Sequence, residues 1–520
     1  MTFSAVRSNY IFSTAASYET LEHHLSNEAR NRLENPMKAI YKFSQTRKGV
    51  ISFANGDPHP SLYPISQIDF KVPRLSGCDP VNSWLTDTSS GAIPDSSIQT
   101  LSSYRDQPCS LSLRSALQYG TGAGLLELRQ ILARFNALVH WPKGMNPETG
   151  PTEVEVTLSL GNADALTKCF RLLGSPGDSF LVEEFSFPGM TNAPLAQGVK
   201  WIPVRMDREG LLPEVLEEIL DSWDEANGRK PHVLYTIPQS SGQNPTGGTL
   251  STARRKEIYR ISCKHDIIIL EDDPYYFLQY DKVQENDGPD FDAKSFLGSF
   301  PPTFLSMDTE GRVLRIDSFS KIIFPGMRLG WITSNPMFAK KLEILTDSST
   351  QHPHGIGQAF VTELLSETGW GIEGYLKWVR SLCIDYQRRR DLFLDIFRKE
   401  MGERTYAFVD SPSAGMFIWI EIHYENHPRY RAVNSDNNKT ISNVVDLNDE
   451  LFQRIVDEGV VVMPAKTFAI QCTADVPGTV PIQNRLNFFR ATFAGTDEAI
   501  SKGIPVVCQE IKAFFETTEE

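Results

Sequence analysis

Cysteine is scarce in this sequence: seven residues (Cys78, Cys109, Cys169, Cys263, Cys383, Cys472 and Cys508) in 520, an odd number with no C-x-x-C spacing. That excludes a disulfide-stapled scaffold and paired-ligand zinc sites; reduced thiols are expected and no metal is implied. No run of 18 or more apolar residues occurs, so no membrane span is predicted. Positive charge is in deficit, 51 Lys and Arg against 65 Asp and Glu, and the formal charge of -14 excludes non-specific binding to nucleic acid. The N-terminus lacks the apolar core of a secretory leader. Residues 1–10 are rich in Ser, Thr and Ala with a single arginine, so the cytoplasm is expected and a mitochondrial address stays open. The C-terminal Thr517-Thr518-Glu519-Glu520 carries no peroxisomal or retention signal.

What is present is a long chain with 40% hydrophobic residues, enough for two domains and a sizeable core. From about residue 115 to 345, strand-like apolar runs alternate with helical segments, which predicts an α/β fold with a mainly parallel sheet covered by helices on both faces. A long helical reading from Ala359 to Met401 follows, then alternating stretches at Gly415 to Glu421 and Gly459 to Pro464, the pattern of a smaller α+β domain. The expected division is 1–50 as an N-terminal arm with part of the small domain, 51–350 as the large domain, and 351–520 as the small C-terminal domain. The segment 283–300, with Asn286-Asp287-Gly288-Pro289-Asp290, reads as a solvated loop.

The chemistry is concentrated in Asp317-Ser318-Phe319-Ser320-Lys321, followed by Arg328. This set suits an aldehyde cofactor that carries a phosphate. Lys321 can form a Schiff base with pyridoxal 5'-phosphate, while Ser318, Ser320 and Arg328 neutralise the phosphate. Taken alone, the same string also describes a solvated lysine in a Ser-rich turn. Two upstream clusters supply what the cofactor ring needs. In Gln243-Asn244-Pro245-Thr246-Gly247, Asn244 follows the buried-strand run Val233 to Pro238, and a helix is expected from Arg254 to Lys264. In Glu271-Asp272-Asp273-Pro274-Tyr275-Tyr276, Asp272 ends the run Ile267 to Leu270, placing a carboxylate at the carboxyl edge of a strand, where ligands of open α/β sheets collect. Leu158 to Lys168 reads as strand, glycine turn and helix start, a phosphate-binding geometry.

These motifs, in this order, resemble those of the fold-type I aminotransferases. The strings Glu271 to Tyr280, Pro302 to Asp308, Asp317 to Ile323 and Ala414 to Ile420 are similar to the kynurenine/α-aminoadipate branch, which includes the fungal aromatic amino acid aminotransferases. The first 20 residues, parts of 78–110, and the stretches 283–300, 425–445 and 471–482 fall outside the resemblance. It implies that Lys321 holds the cofactor and then serves as general base, and that Asp272 pairs with the pyridine nitrogen. Asn244 and Tyr275 would donate to the phenolic oxygen. Asn162 and Ala163 would join Ser318, Ser320 and Arg328 around the phosphate, with Ala163 offering only its amide. Phe187 would stack on the ring, in a place where relatives carry tyrosine.

For the substrate α-carboxylate the resemblance implies Arg490, in Phe488-Phe489-Arg490-Ala491-Thr492, with Arg485 as a competitor and Gly56 as a backbone contact. Tyr119, in a Gly-rich segment before a helix expected from Leu125 to Ala137, would cross to the phosphate site of a partner subunit, making a homodimer the catalytic unit. Glu34 to Ile40 resembles a mobile arm that covers the substrate. The arm position that aminoadipate-using relatives fill with arginine falls at Ile40, with Lys38 nearby, so an apolar pocket lined by Phe53, Tyr63, Phe187 and Phe468 is expected. The implied activity is ping-pong transamination of Phe, Tyr or Trp with 2-oxoglutarate or an aromatic oxo acid. Kynurenine or 2-aminoadipate as main substrate, a same-fold lyase or decarboxylase, and a non-enzymatic regulator are the alternatives. A regulator would need a basic DNA-binding domain for which some 50 residues ahead of Ser52 are too few.

Overall fold

Apolar runs at Glu155–Ser159, Ser179–Glu183, Lys200–Val204, Val233–Thr236, Ile268–Asp272, Val313–Ser318 and Gly330–Ser334 form one seven-stranded sheet in the computed structural model. The structure describes residues 19–45, 56–75, 77, 79–89, 91, 93–140, 154–238, 242–280, 291–434, 440–471 and 482–516. Naming each strand by its first residue, the order across the sheet is 155, 330, 313, 268, 233, 179, 200. Gly330–Ser334 runs antiparallel to both its neighbours, and the other pairings are parallel. The mainly parallel sheet expected from the alternation of strand and helix is therefore present.

The central strands read as continuous apolar runs because both of their faces are covered. Every residue of Ile268–Asp272 and Val313–Ser318 is buried. Side chains still alternate: Ile268, Leu270, Val233 and Tyr235 pack with Phe170 and Leu173 of the helix Asn162–Leu173. Ile267, Ile269, Leu234 and Val313 pack on the other face with Ile258 and Ile261 of the helix Thr252–Lys264. Ile269 is completely buried between neighbours that cannot collapse into its volume. Ile269→Ala is expected to cost about 2–5 kcal/mol, read as a lower urea midpoint at unchanged slope.

A second, four-stranded antiparallel sheet has the order Ala407–Val409, Phe417–Ile422, Phe488–Thr492, Met463–Pro464. The helices Gly371–Met401 and Asp497–Glu516 pack with it in the largest apolar cluster. The N-terminal residues Leu21, Leu25 and Ala29 dock on the helix layer of the large sheet, and Ser26 Oγ donates to the Arg171 carbonyl at 2.5 Å.

Three sequence expectations need correction. The long helical reading is two helices, Gly355–Leu365 and Gly371–Met401, because the chain turns extended at Ser366, φ -76 and ψ 168, and re-enters helix only at Gly371. Of Gly459 to Pro464 only Met463–Pro464 pairs in the sheet; Gly459 turns the chain at φ +84 and Val461 is exposed. The 283–300 segment is not a solvated loop throughout. Residues 281–290 lie outside the described residues, but Ala293–Gly298 is helical, and Phe291, Phe296, Leu297 and Phe300 pack against the main core.

Candidate active site

The parallel strands deliver Glu183, Thr236, Asp272 and Ser318 to one edge of the large sheet, each as the last residue of its strand. Gly330, which opens the antiparallel strand, pairs with Ser318 and Ser159 at the same edge. Asp272 is 5% exposed, and both its oxygens are held: Asn162 Nδ2 donates to Oδ1 at 2.7 Å and the Tyr235 hydroxyl to Oδ2 at 3.0 Å. Burial pushes this carboxyl up to about 6, against the pull of those two donors. Beneath it lies a fully buried arginine. Arg315 meets Glu271 at 3.2 Å, Asp273 at 3.3 Å and Asp317 at 2.8 Å, in a parallel register that sets Arg315 beside Glu271. This cluster clamps the two strand ends that carry Asp272 and Ser318, and burial holds Asp317 up at about 7 despite Arg315.

Next to Asp272, the helix Asn162–Leu173 begins after Gly161, at φ +83, so its first amide groups open toward the sheet edge. Arg328 is itself left-handed, at φ +53, and its guanidinium lies over Gly161, where any Cβ would come within 2.6 Å of Nη2. Nη2 donates to the Leu160 carbonyl and Nη1 to the Pro325 carbonyl, each at 3.0 Å. Ser318 Oγ donates to Ser320 Oγ at 2.7 Å and accepts from the Ser320 amide at 3.0 Å. The structure thus brings Ser318, Ser320, Arg328 and the Asn162–Ala163 turn to one sheet edge, as the sequence predicted. It differs in one detail: the Asn162 side chain turns to Asp272, because that buried carboxylate needs a donor, so its amide NH2 does not face the predicted phosphate. Its Oδ1 is buried without a hydrogen-bond partner, an acceptor that a donor entering the site would satisfy.

Lys321 is half-buried, with Nζ 5.8 Å from the Tyr275 ring centroid. Burial, then the cations Arg490 and Arg328, lower its pKa, so its uncharged amine is more accessible than that of a surface lysine. Arg490 Nη1 donates to Asn244 Oδ1 at 2.7 Å, and Asn244 lowers the pKa of the neighbouring Tyr275 hydroxyl against the stronger raising effect of burial. Arg485, the competitor for the carboxylate role, is already committed: it pairs with Glu184 and donates to the Met206 carbonyl at 2.9 Å. Arg490 instead lies between two rings, 4.5 Å from the Phe417 centroid and 4.7 Å from that of Phe468.

The remaining candidates are more open. Phe187 is 37% exposed and covers Gly189, and Tyr119 is 52% exposed beside His352. Gly56 and Tyr119 line a cavity of about 230 Å³ with Asn35, Met37 and Lys38 of the arm, where Lys38 donates to the Gly120 carbonyl. Of the predicted apolar pocket, Phe468 is buried against Arg490 and Tyr63 is partly exposed, while Phe53 lies outside the described residues. Sequence reasoning missed Tyr235, Arg315 and Glu183. Their signals were a tyrosine, an arginine and a carboxylate inside runs otherwise read as buried strand.

The model of the family described as aminotransferase class I and II matches residues 84–504. The chain is a class I and II aminotransferase. This aminotransferase is 51% identical to an L-tyrosine:2-oxoglutarate aminotransferase of Serpula lacrymans, covering 95% of this chain and 96% of that one. It is 37% identical to an aromatic amino acid aminotransferase of Schizosaccharomyces pombe, over 92% and 95% of the two chains. Among solved structures, the aminotransferase Aro8 of Candida albicans superposes with a TM-score of 0.80 at 30% identity, over 96% of this chain and 99% of that one. Among the described residues, no helix of the aminotransferase is long and apolar enough to cross a membrane.

Proposed function

We propose that this aminotransferase transfers the amino group of an aromatic amino acid (phenylalanine, tyrosine or tryptophan) to 2-oxoglutarate by a ping-pong mechanism, with pyridoxal 5'-phosphate as cofactor. The observation that carries the reading is Arg490: a guanidinium set between Phe417 and Phe468 and bonded to Asn244. Its aromatic surroundings suit a substrate whose side chain is itself a ring, and the tyrosine and aromatic activities of the relatives agree.

The residues fit the cofactor. The helix start at Asn162–Ala163, Ser318, Ser320 and Arg328 would hold its phosphate, and Asp272 its ring nitrogen. Phe187 would lie on the ring face. When bound, the cofactor supplies an aldehyde carbon that takes up amino groups and a ring that withdraws electrons from the substrate's α-carbon. Arg490 takes the α-carboxylate bidentately, near the backbone of Gly56, which orients the α-C–H bond. Lys321 Nζ, with its lowered pKa, accepts the α-proton and returns it to the product. Asp272 keeps a negative charge against the ring nitrogen. Tyr275 donates its hydroxyl proton, made more acidic by the neighbouring Arg490 and Asn244 against the effect of burial. Tyr119, exposed in the single chain, would reach the phosphate of a second copy, so the catalytic unit is a homodimer.

The test is a spectral half-reaction. Purified protein loaded with the cofactor is mixed with phenylalanine, tyrosine, kynurenine or 2-aminoadipate, then with 2-oxoglutarate. Aromatic donors are expected to bleach the visible band most efficiently, and the oxo acid to restore it. Faster bleaching by 2-aminoadipate than by phenylalanine would overturn the aromatic assignment, and a band that no amino acid shifts would overturn transamination.

A further inference from the structure

A carboxyl group as deeply buried as Glu183, 1% exposed at the end of Ser179–Glu183, requires hydrogen-bond partners. Two converge on it. Thr236 Oγ1 lies 2.5 Å from Oε1, and the Ile237 amide donates to Oε2 at 3.3 Å. Both belong to the strand end that leads toward Asn244. Gln243, next to Asn244, is completely buried and ties its turn back to the chain just beyond Glu183. Its Nε2 donates to the Phe185 carbonyl and its Oε1 accepts from the Thr246 amide, both at 2.8 Å, while its backbone carbonyl accepts from Gly247 at 2.7 Å. The neighbouring Glu184 points elsewhere, to Arg485 and the Met206 amide.

We propose that Glu183 is a positioning residue of the active site: its carboxyl fixes the strand end that leads to Asn244 through Thr236 and Ile237, so that Asn244 reaches Arg490 beside Tyr275. The consequences for substrate and cofactor rest on the aminotransferase reading; the fixing of the turn does not. Burial pushes this carboxyl up to about 8 despite its two donors, and the charged and titratable groups facing it are Asp272 and Tyr235. Near neutrality Glu183 therefore keeps its proton and adds no charge beside Asp272. Above pH 8 its ionisation would repel that carboxylate.

Glu183→Ala and Glu183→Gln in the full-length protein separate the possibilities. Removing buried hydrogen bonds should lower amide-exchange protection over residues 242–250 about tenfold in the alanine variant, whereas the neutral isostere stays near wild type. In the holoenzyme, Glu183→Ala should raise KM for the amino acid about fivefold and move the pH midpoint of the visible band, and Glu183→Gln should do neither. A folded alanine variant with unchanged protection, or one whose melting temperature falls while KM and midpoint stay fixed, would overturn the proposal. Should Glu183→Ala not fold, the remaining pair decides: wild-type protection in this segment, relative to that of Glu183→Gln, must fall as pH rises from about 4.5 to about 8 and level off above. A wild-type protein without a visible band would count against the aminotransferase reading and leave the exchange experiment intact.

Discussion

Lys321→Ala is expected to abolish the wild-type visible band and to lower transamination by about 10³-fold or more, with little change in melting temperature. The argument rests on what the side chain does and does not support. Lys321 is half-buried and follows the strand end, and its aliphatic stem contributes little to the core that Phe319 and Ile322 enter on either side. Its amine is the basic group placed near both Tyr275 and Arg490, and its pKa is lowered by burial and by two arginines. An ordinary lysine at neutral pH is almost entirely protonated and cannot accept the α-proton. The positive surroundings favour the uncharged form. Assaying turnover and melting temperature on the same preparation checks the claim; a folded variant that keeps substantial transamination would remove Lys321 from its role.

Much of this site is legible in the sequence because its parts are short and lie at strand ends. Lys321, Asp272 and Asn244 each follow a run of apolar residues, and such runs fix where the chain leaves a parallel sheet. Choosing Arg490 over Arg485 was not possible on spacing alone. It depends on Glu184, 301 residues away in sequence, which binds Arg485 and leaves Arg490 to the site. Tyr235 and Glu183 read as strand residues, since in a two-sided sheet a polar group is betrayed only by what it meets across the edge. The helix Ala293–Gly298 was hidden by the polar residues before it, although Phe296, Leu297 and Phe300, at i, i+1 and i+4, have the spacing of one buried helical face. The break before Gly371 had a signal in Gly369-Trp370-Gly371, which the apolar periodicity on both sides concealed.

Asp272→Asn should lower kcat by about 10²–10³-fold, the scale of removing one preorganised charge from a developing transition-state charge. The substitution preserves shape. Tyr235 can rotate its hydroxyl to accept from the new amide, and Asn162 can keep donating to the remaining oxygen, so the pocket should stay closed. Stability moves the other way. Because burial raises Asp272 from 3.8 to about 6, the folded cofactor-free protein binds more protons than the unfolded chain between those values. Stability from this group therefore falls as pH rises from about 4 to 6, and the cost persists above. The neutral variant escapes it and should be at least as stable at pH 7 without cofactor. The same titration governs binding. In the wild type the carboxylate proposed to face the ring nitrogen is lost as pH falls through about 6, so cofactor affinity should weaken there, and Asp272→Asn should lack that step. Measuring cofactor affinity by equilibrium dialysis from pH 5 to 8 distinguishes a charge that works on the ring from a carboxyl that only fills space: in the second case both proteins give the same profile.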